Sequence, residues 1–147
     1  MYCNKNYFSI KLVKSKFSIS LHIMTLLAYY SDEWHTSALI AESLNINPVL
    51  VRKELKALKE KGLVESKEGK NGGVRLGKSA KNITLADIFE AAKGSTHVLN
   101  LSNNIPDATC KIGGQINEKL LLMFNDIDDA IVNILKPQTL EAFKNQF

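Results

Sequence analysis

Residues 47–62, NPVLVRKELKALKEKG, read as a helix marked at both ends. Asn47 is a favoured N-cap, because its side-chain oxygen can accept from an unpaired N–H of the first turn. Pro48 suits the first helical position, where no N–H is needed. Gly62 is the residue type that commonly follows a helix end. Val51, Leu55 and Leu58 recur at i, i+4 and i+7 and form one apolar stripe for a core. Arg52, Lys53, Lys56 and Lys59 lie away from that stripe, with Val49 near the N-terminus. Such a helix is roughly 24 Å long and has the thickness that a DNA major groove admits. Solvated lysines also coat many helices that bind nothing, so the neighbouring segments decide between the two readings.

On the N-terminal side, residues 37–44, SALIAESL, form a short helix with Thr36 and Ser37 as candidate N-caps. Leu39, Ile40 and Leu44 are its apolar positions, and the small Ala41 suits a close approach to the following helix. Asn45 and Ile46 make a brief turn. A short helix, a tight turn and a capped second helix is the helix-turn-helix arrangement. On the C-terminal side, residues 63–67 alternate as a strand, residues 68–73 (EGKNGG) form a glycine-rich turn, and residues 74–76 return as the partner strand. A hairpin directly after the basic helix is a wing, with Lys70, Asn71 and Arg75 at or near its tip. Glycines let a loop backbone approach a phosphate or enter a minor groove without side-chain obstruction.

Charge is segregated along the chain. Residues 47–81 hold ten Lys/Arg against four Asp/Glu, whereas residues 113–147 hold three against five. A net charge of +4 on 147 residues is modest, but its concentration in one region is the footprint of a polyanion partner. The hydrophobic fraction of 45% fits a globular protein with a real core. No apolar run reaches the roughly 18 residues of a membrane span, and no signal-peptide pattern opens the chain. A cytoplasmic location and no membrane partner are therefore expected.

Residues 1–16 have no clear period and read as a tail, an extra strand or an extension. From about Ser18 a helical pattern places Ile19, Ile23, Leu26, Leu27 and Tyr30 on one face. Residues 84–93 form a short helix capped by Thr84, with Asp87 in a capping-box-like position and Gly94 as its stop. Residues 95–112 are a connector with a short extended segment expected near Val98–Leu101. Residues 113–135 then read as a long helix. Ile116, Leu120, Met123, Ile127 and Ile131 follow a spacing of three and four, and further apolar residues widen that surface beyond one stripe. A helix apolar on more than one side needs more than one partner. The winged domain offers one and the same helix of a second subunit offers the other, which implies a C2 homodimer.

With these segments in place the chain resembles the Rrf-two family of bacterial winged-helix transcriptional regulators. The resemblance rests on FSISLHIMTLLAYY, SALIAESLNINPVLVRKELKALKEKGLV, GKNGGVRL and ITLADIFEAAKG, which span most of residues 17–94 in the family's order. It implies that the helix from Asn47 enters the major groove, that the wing enters the minor groove, and that the long C-terminal helix is the dimerisation helix. Members that bind an iron–sulfur cluster hold three cysteines before that helix. This chain has only Cys110 there, and one thiolate cannot hold a cluster that takes about four protein ligands. The resemblance therefore points to a cluster-free member without a cofactor.

The expected fold class is mainly α with a small β-hairpin. It divides into a tail or extension (1–16), a winged helix-turn-helix DNA-binding domain (17–94), a connector (95–112), and a dimerisation helix with a C-terminal tail (113–147). The expected function is a sequence-specific dimeric repressor of a palindromic double-stranded DNA operator, responding to a redox or other stress signal. Asn47, Val49 and Arg52 are expected at base edges, and Ser37, Lys53, Lys56, Lys70, Asn71 and Arg75 at the backbone. Cys110, beside Lys111 and ahead of a helix, is a candidate oxidant-sensing thiol. Its competing reading is an inert small hydrophobe. His22, His35 and His97 have no partner at metal-ligand spacing. A protein-binding winged helix and a small thiol enzyme are the rival classes. No CxxC pair and no Ser/His/Asp or paired-carboxylate constellation supports the enzyme.

Overall fold

The apolar stripe of residues 51, 55 and 58 sets the centre of the fold. Val51 and Leu58 are fully buried and Leu55 nearly so. They pack with Ile23, Met24 and Leu27, with Ile40 and Ala41, and with Ile83, Leu85 and Ile88 in one cluster. Each of the larger of these side chains, Val, Leu, Ile or Met, contributes about 1.5–3 kcal/mol when removed from water. The computed structural model describes residues 6–147, with side chains from Ser15 onward. Cys3 and the first residues of the expected tail lie outside the described residues.

The elements run α1 (Asn6–Tyr29), α2 (Ser37–Leu44), α3 (Pro48–Glu60), β1 (Val64–Lys67), β2 (Gly73–Leu76), a 3-10 turn (Ala80–Asn82), α4 (Leu85–Lys93), α5 (Ile116–Leu135) and α6 (Leu140–Lys144). The leading helix begins upstream of the expected Ser18, because nothing between Asn6 and Phe17 is a proline or glycine that would stop it. Caps fix the short helices where the sequence marks them. Thr36 Oγ1 accepts from Leu39 N–H at 3.2 Å, and Asn47 Oδ1 accepts from Val49 N–H at 2.8 Å. Asn45 takes the left-handed turn (φ 51°) that separates α2 from α3. Thr84 and Asp87 form a reciprocal capping box, at 2.8 and 3.1 Å.

The wing is an antiparallel pair that matches Val64 with Leu76, Glu65 with Arg75, Ser66 with Val74 and Lys67 with Gly73. His35 adds a third short edge, exchanging both backbone hydrogen bonds with Val74 at 3.0 and 2.8 Å. The segment passes so close that a Cβ at Gly73 would lie 2.6 Å from the His35 carbonyl oxygen, which explains glycine there.

The connector forms no strand. Val98 N–H donates to the Asp128 carboxylate at 3.1 Å instead of to a strand partner. Residues 108–115 are a run of turns with a bend at Cys110, so α5 starts at Ile116 rather than at residue 113. The C-terminal segment packs back. Leu140 is fully buried, and Leu140 N–H and Leu85 N–H donate to Ile83 and Gln138 carbonyls, each at 2.8 Å. Among the described residues no helix is long and apolar enough to cross a membrane.

Candidate nucleic-acid interface

Because residues 51, 55 and 58 face inward, the other side of α3 faces water. Asn47, Val49, Arg52, Lys53 and Lys56 are all exposed there, Val49 by 62%. Arg52 Nε donates to Ser37 Oγ at 3.3 Å, which brings the first residue of α2 beside the face of α3. Asn47 Oδ1 accepts the capping bond, which leaves the side-chain N–H groups and one lone pair of that oxygen to meet a ligand. Lys59, the last cation of the helix, donates to Ser66 Oγ and ties α3 to β1. Lys70 and Asn71 stand exposed in the loop between the strands. Arg75 is differently placed: its Nε pairs with Glu65, and its guanidinium lies 4.4 Å from the centroid of the Trp34 ring. Lys53, Lys56, Lys70 and Asn71 thus stand exposed to a ligand, whereas Arg52 is shared with Ser37 and Arg75 already has two partners.

Two residues of this region escaped the sequence reading. Trp34 falls in the turn between α1 and α2, outside any periodic segment. Glu54 lies at i+3 from Val51 and i+4 before Leu58, on the buried stripe itself, and that position was the available signal. It is 6% exposed and accepts from Ser20 Oγ at 3.4 Å. Burial pushes its carboxyl above the ordinary value, against the opposing pull of Lys16, the Ser20 hydroxyl and Lys53.

The expected dimer residues lie along α5. Phe124 and Asp128, one turn apart, are buried where α5 packs on α4. Ile116, Leu120, Ile127 and Ile131 are half-buried along the flank of that contact, and Met123 is 55% exposed. Ile134, at 66%, extends the same open apolar face. Asp128 accepts from His97 Nδ1 at 2.9 Å and from Lys93 at 3.2 Å, and so fastens the connector and α4 to α5. Burial raises its carboxyl, but the Val98 N–H, His97 and Lys93 together outweigh that and hold it low. Cys110 is exposed in the turns before α5. Its thiol is lowered by the backbone N–H groups of Gly113 and Ile112. Both N–H groups belong to the turns that lead into α5.

A basic helix presented by a helix-turn-helix, followed by a wing, defines a winged-helix DNA-binding protein. The family model described as "Rrf2: Iron-dependent Transcriptional regulator" matches residues 13–146, and the chain belongs to this family. It is 28% identical over 134 residues to a Bacillus subtilis protein named "Putative HTH-type transcriptional regulator YwnA", covering 91% of this chain and 98% of that one. Its fold is similar to that of CymR (YrzC), the global cysteine regulator of B. subtilis. That match has a TM-score of 0.65 and 24% identity, over 90% of this chain and 95% of the other. It is also similar to IscR of T. potens, with a TM-score of 0.63 and 20% identity, over 90% and 85%. The chain is thus a DNA-binding transcriptional regulator, and its family is one of regulators rather than enzymes.

The family description implies iron, and the donor set among the described residues does not fit an iron–sulfur cluster. No group of three or more His, Cys, Asp or Glu that could hold a metal ion occurs among the described residues. Cys110 offers one thiolate where a cluster takes about four protein ligands.

The Glu54 environment gives a direct prediction. A raised folded-state value means that the folded protein binds this proton more tightly than the unfolded chain does. The stability it contributes is greatest below the ordinary value of 4.5 and falls as pH rises through the folded value. Glu54→Gln, which cannot titrate, should lose that fall and unfold at higher urea than wild type at neutral pH. A variant less stable than wild type at pH 7, with its pH slope intact, would contradict this.

Proposed function

We propose that the chain is a cluster-free dimeric repressor that reads a palindromic operator, each protomer laying α3 in a major groove and the wing in the adjacent minor groove. The observation that carries this reading is the two-sidedness of α3. Val51, Leu55 and Leu58 are held in the core while Arg52, Lys53 and Lys56 stand in water. Residues 17–94 would form the DNA-binding domain, residues 95–112 the connector, and residues 113–147 the dimerisation unit. Asn47, Val49 and Arg52 sit near the N-terminal end of α3, where recognition helices meet base edges. Ser37, Lys53, Lys56, Lys70 and Asn71 supply donors for phosphates, which set register without reading sequence.

The second protomer would cover the open face of α5 along Ile116, Leu120, Met123, Ile127 and Ile131. Two half-sites about one helical turn apart follow from such a two-fold pairing. The exposed Cys110 thiol, in the turns that lead into α5, is where we place sensitivity to an oxidant. The regulator would act in the cytoplasm.

Two measurements test this reading. In binding to operator fragments selected from the source genome, Arg52→Ala should cost about 1–3 kcal/mol and relax base preference. Lys56→Ala should weaken every sequence evenly; a changed base preference there would contradict its assignment. In sedimentation, Met123→Glu should shift a dimer to monomer and lower operator affinity together. A variant that stays dimeric would remove α5 from the interface.

A further inference from the structure

The wing has a support that neither its own two strands nor its phosphate-facing residues supply. A lone hairpin is marginally stable in water, so its direction depends on what packs against it. Side chains two apart along a strand share a face, and Glu65 pairs directly with Arg75. Glu65, Lys67 and Arg75 therefore lie together on one face of the hairpin. The half-buried Trp34 covers that face. The Arg75 guanidinium stands 4.4 Å and Lys67 Nζ 5.9 Å from its ring centroid. The residue that follows Trp34 is fixed to both the wing and the end of α1. His35 pairs with Val74 through two backbone hydrogen bonds, and His35 Nε2 meets the Tyr30 carbonyl just past α1 at 3.1 Å.

We propose that Trp34 is the positioning residue of the wing, its ring face clamping Arg75 and Lys67 so that the 68–72 loop presents Lys70 and Asn71 to the duplex. The negative face of an indole attracts cations, and the arginine plane stacks on it. Arg75 then serves as a strut between Glu65 and Trp34 rather than as a phosphate ligand. The strut runs from the end of α1 to the wing and lies next to Thr36 and Ser37, which open α2. Trp34 thus ties the wing to the helix-turn-helix that it must match in register. The proposal rests on the DNA-binding reading above.

The test compares wild type, Trp34→Leu, Trp34→Phe and Arg75→Met, each alone and combined with Lys70→Ala/Asn71→Ala. Affinity is measured on a labelled duplex that the wild-type protein selects from the source genome. Trp34→Leu, which keeps apolar bulk but loses the ring face, should weaken binding about three- to tenfold. Trp34→Phe should recover most of that loss. On the Lys70→Ala/Asn71→Ala background, Trp34→Leu should add little, because the loop it positions has nothing left to present. Equal losses on both backgrounds, or no loss at all, would overturn the proposal. If Trp34→Leu fails to fold, Arg75→Met with Trp34 intact carries the same comparison. Trp34 is the only tryptophan, so its emission reads the clamp without DNA. Arg75→Met should open the ring to acrylamide quenching, and unchanged quenching would deny the contact. A wild-type protein that selects no duplex refutes the regulator reading; a selected duplex that Trp34→Leu binds normally refutes only the role of Trp34.

Discussion

The seating of α3 on the core governs everything outside it. Val51, Leu55 and Leu58 are gripped by α1, α2 and the Ile83–Ile88 region, and this fixes the rotation of the helix about its axis. With that rotation set, Arg52, Lys53 and Lys56 can only point outward, and the chain leaving Gly62 must enter β1 beside them. A rotation of about 100° that put Arg52, Lys56 and Lys59 in the places of Val51, Leu55 and Leu58 would carry three cations out of water, at a large desolvation cost. Apolar packing thus aims the charges without touching them.

Polar anchors refine this aim. Glu54, buried on the same stripe, meets Ser20 of α1 and sits within the field of Lys16 and Lys53. Lys59 ties the end of α3 to β1 through Ser66, and Arg52 ties its start to α2 through Ser37. At the far end, Asp128 collects Lys93, His97 and the Val98 N–H, so that α5 is fastened to α4 by more than apolar contact. A displacement of α5 is therefore mechanically connected to α4 and to the core on which α3 rests.

Much of this was legible because it depends on local chemistry. The Asn47–Pro48 start, the Thr84–Asp87 box and the glycine-rich wing turn each announce themselves through a few adjacent residues, and each is present. Features built by residues distant in sequence were not legible. Glu54 reads as a surface acid until its place on the stripe is noticed. Trp34 gains meaning only when β2 folds back across it. The stretch near Val98 looks extended, yet its N–H is claimed by a carboxylate thirty residues on. The cause of the lowered Cys110 thiol likewise required the geometry of the turn at Ile112 and Gly113.

The most direct measurement is the salt dependence of operator affinity. Counterion release makes log K fall with log salt at a slope of about −0.9 per phosphate neutralised. If the outward cations of α3 and the wing loop grip the duplex in two copies, Lys53→Gln, Lys56→Gln and Lys70→Gln should each reduce the slope by about 2. Lys136→Gln and Lys144→Gln, at the acidic end of the chain, should leave it unchanged. A slope indifferent to the first three would contradict the central claim that α3 and its wing are aimed at phosphate.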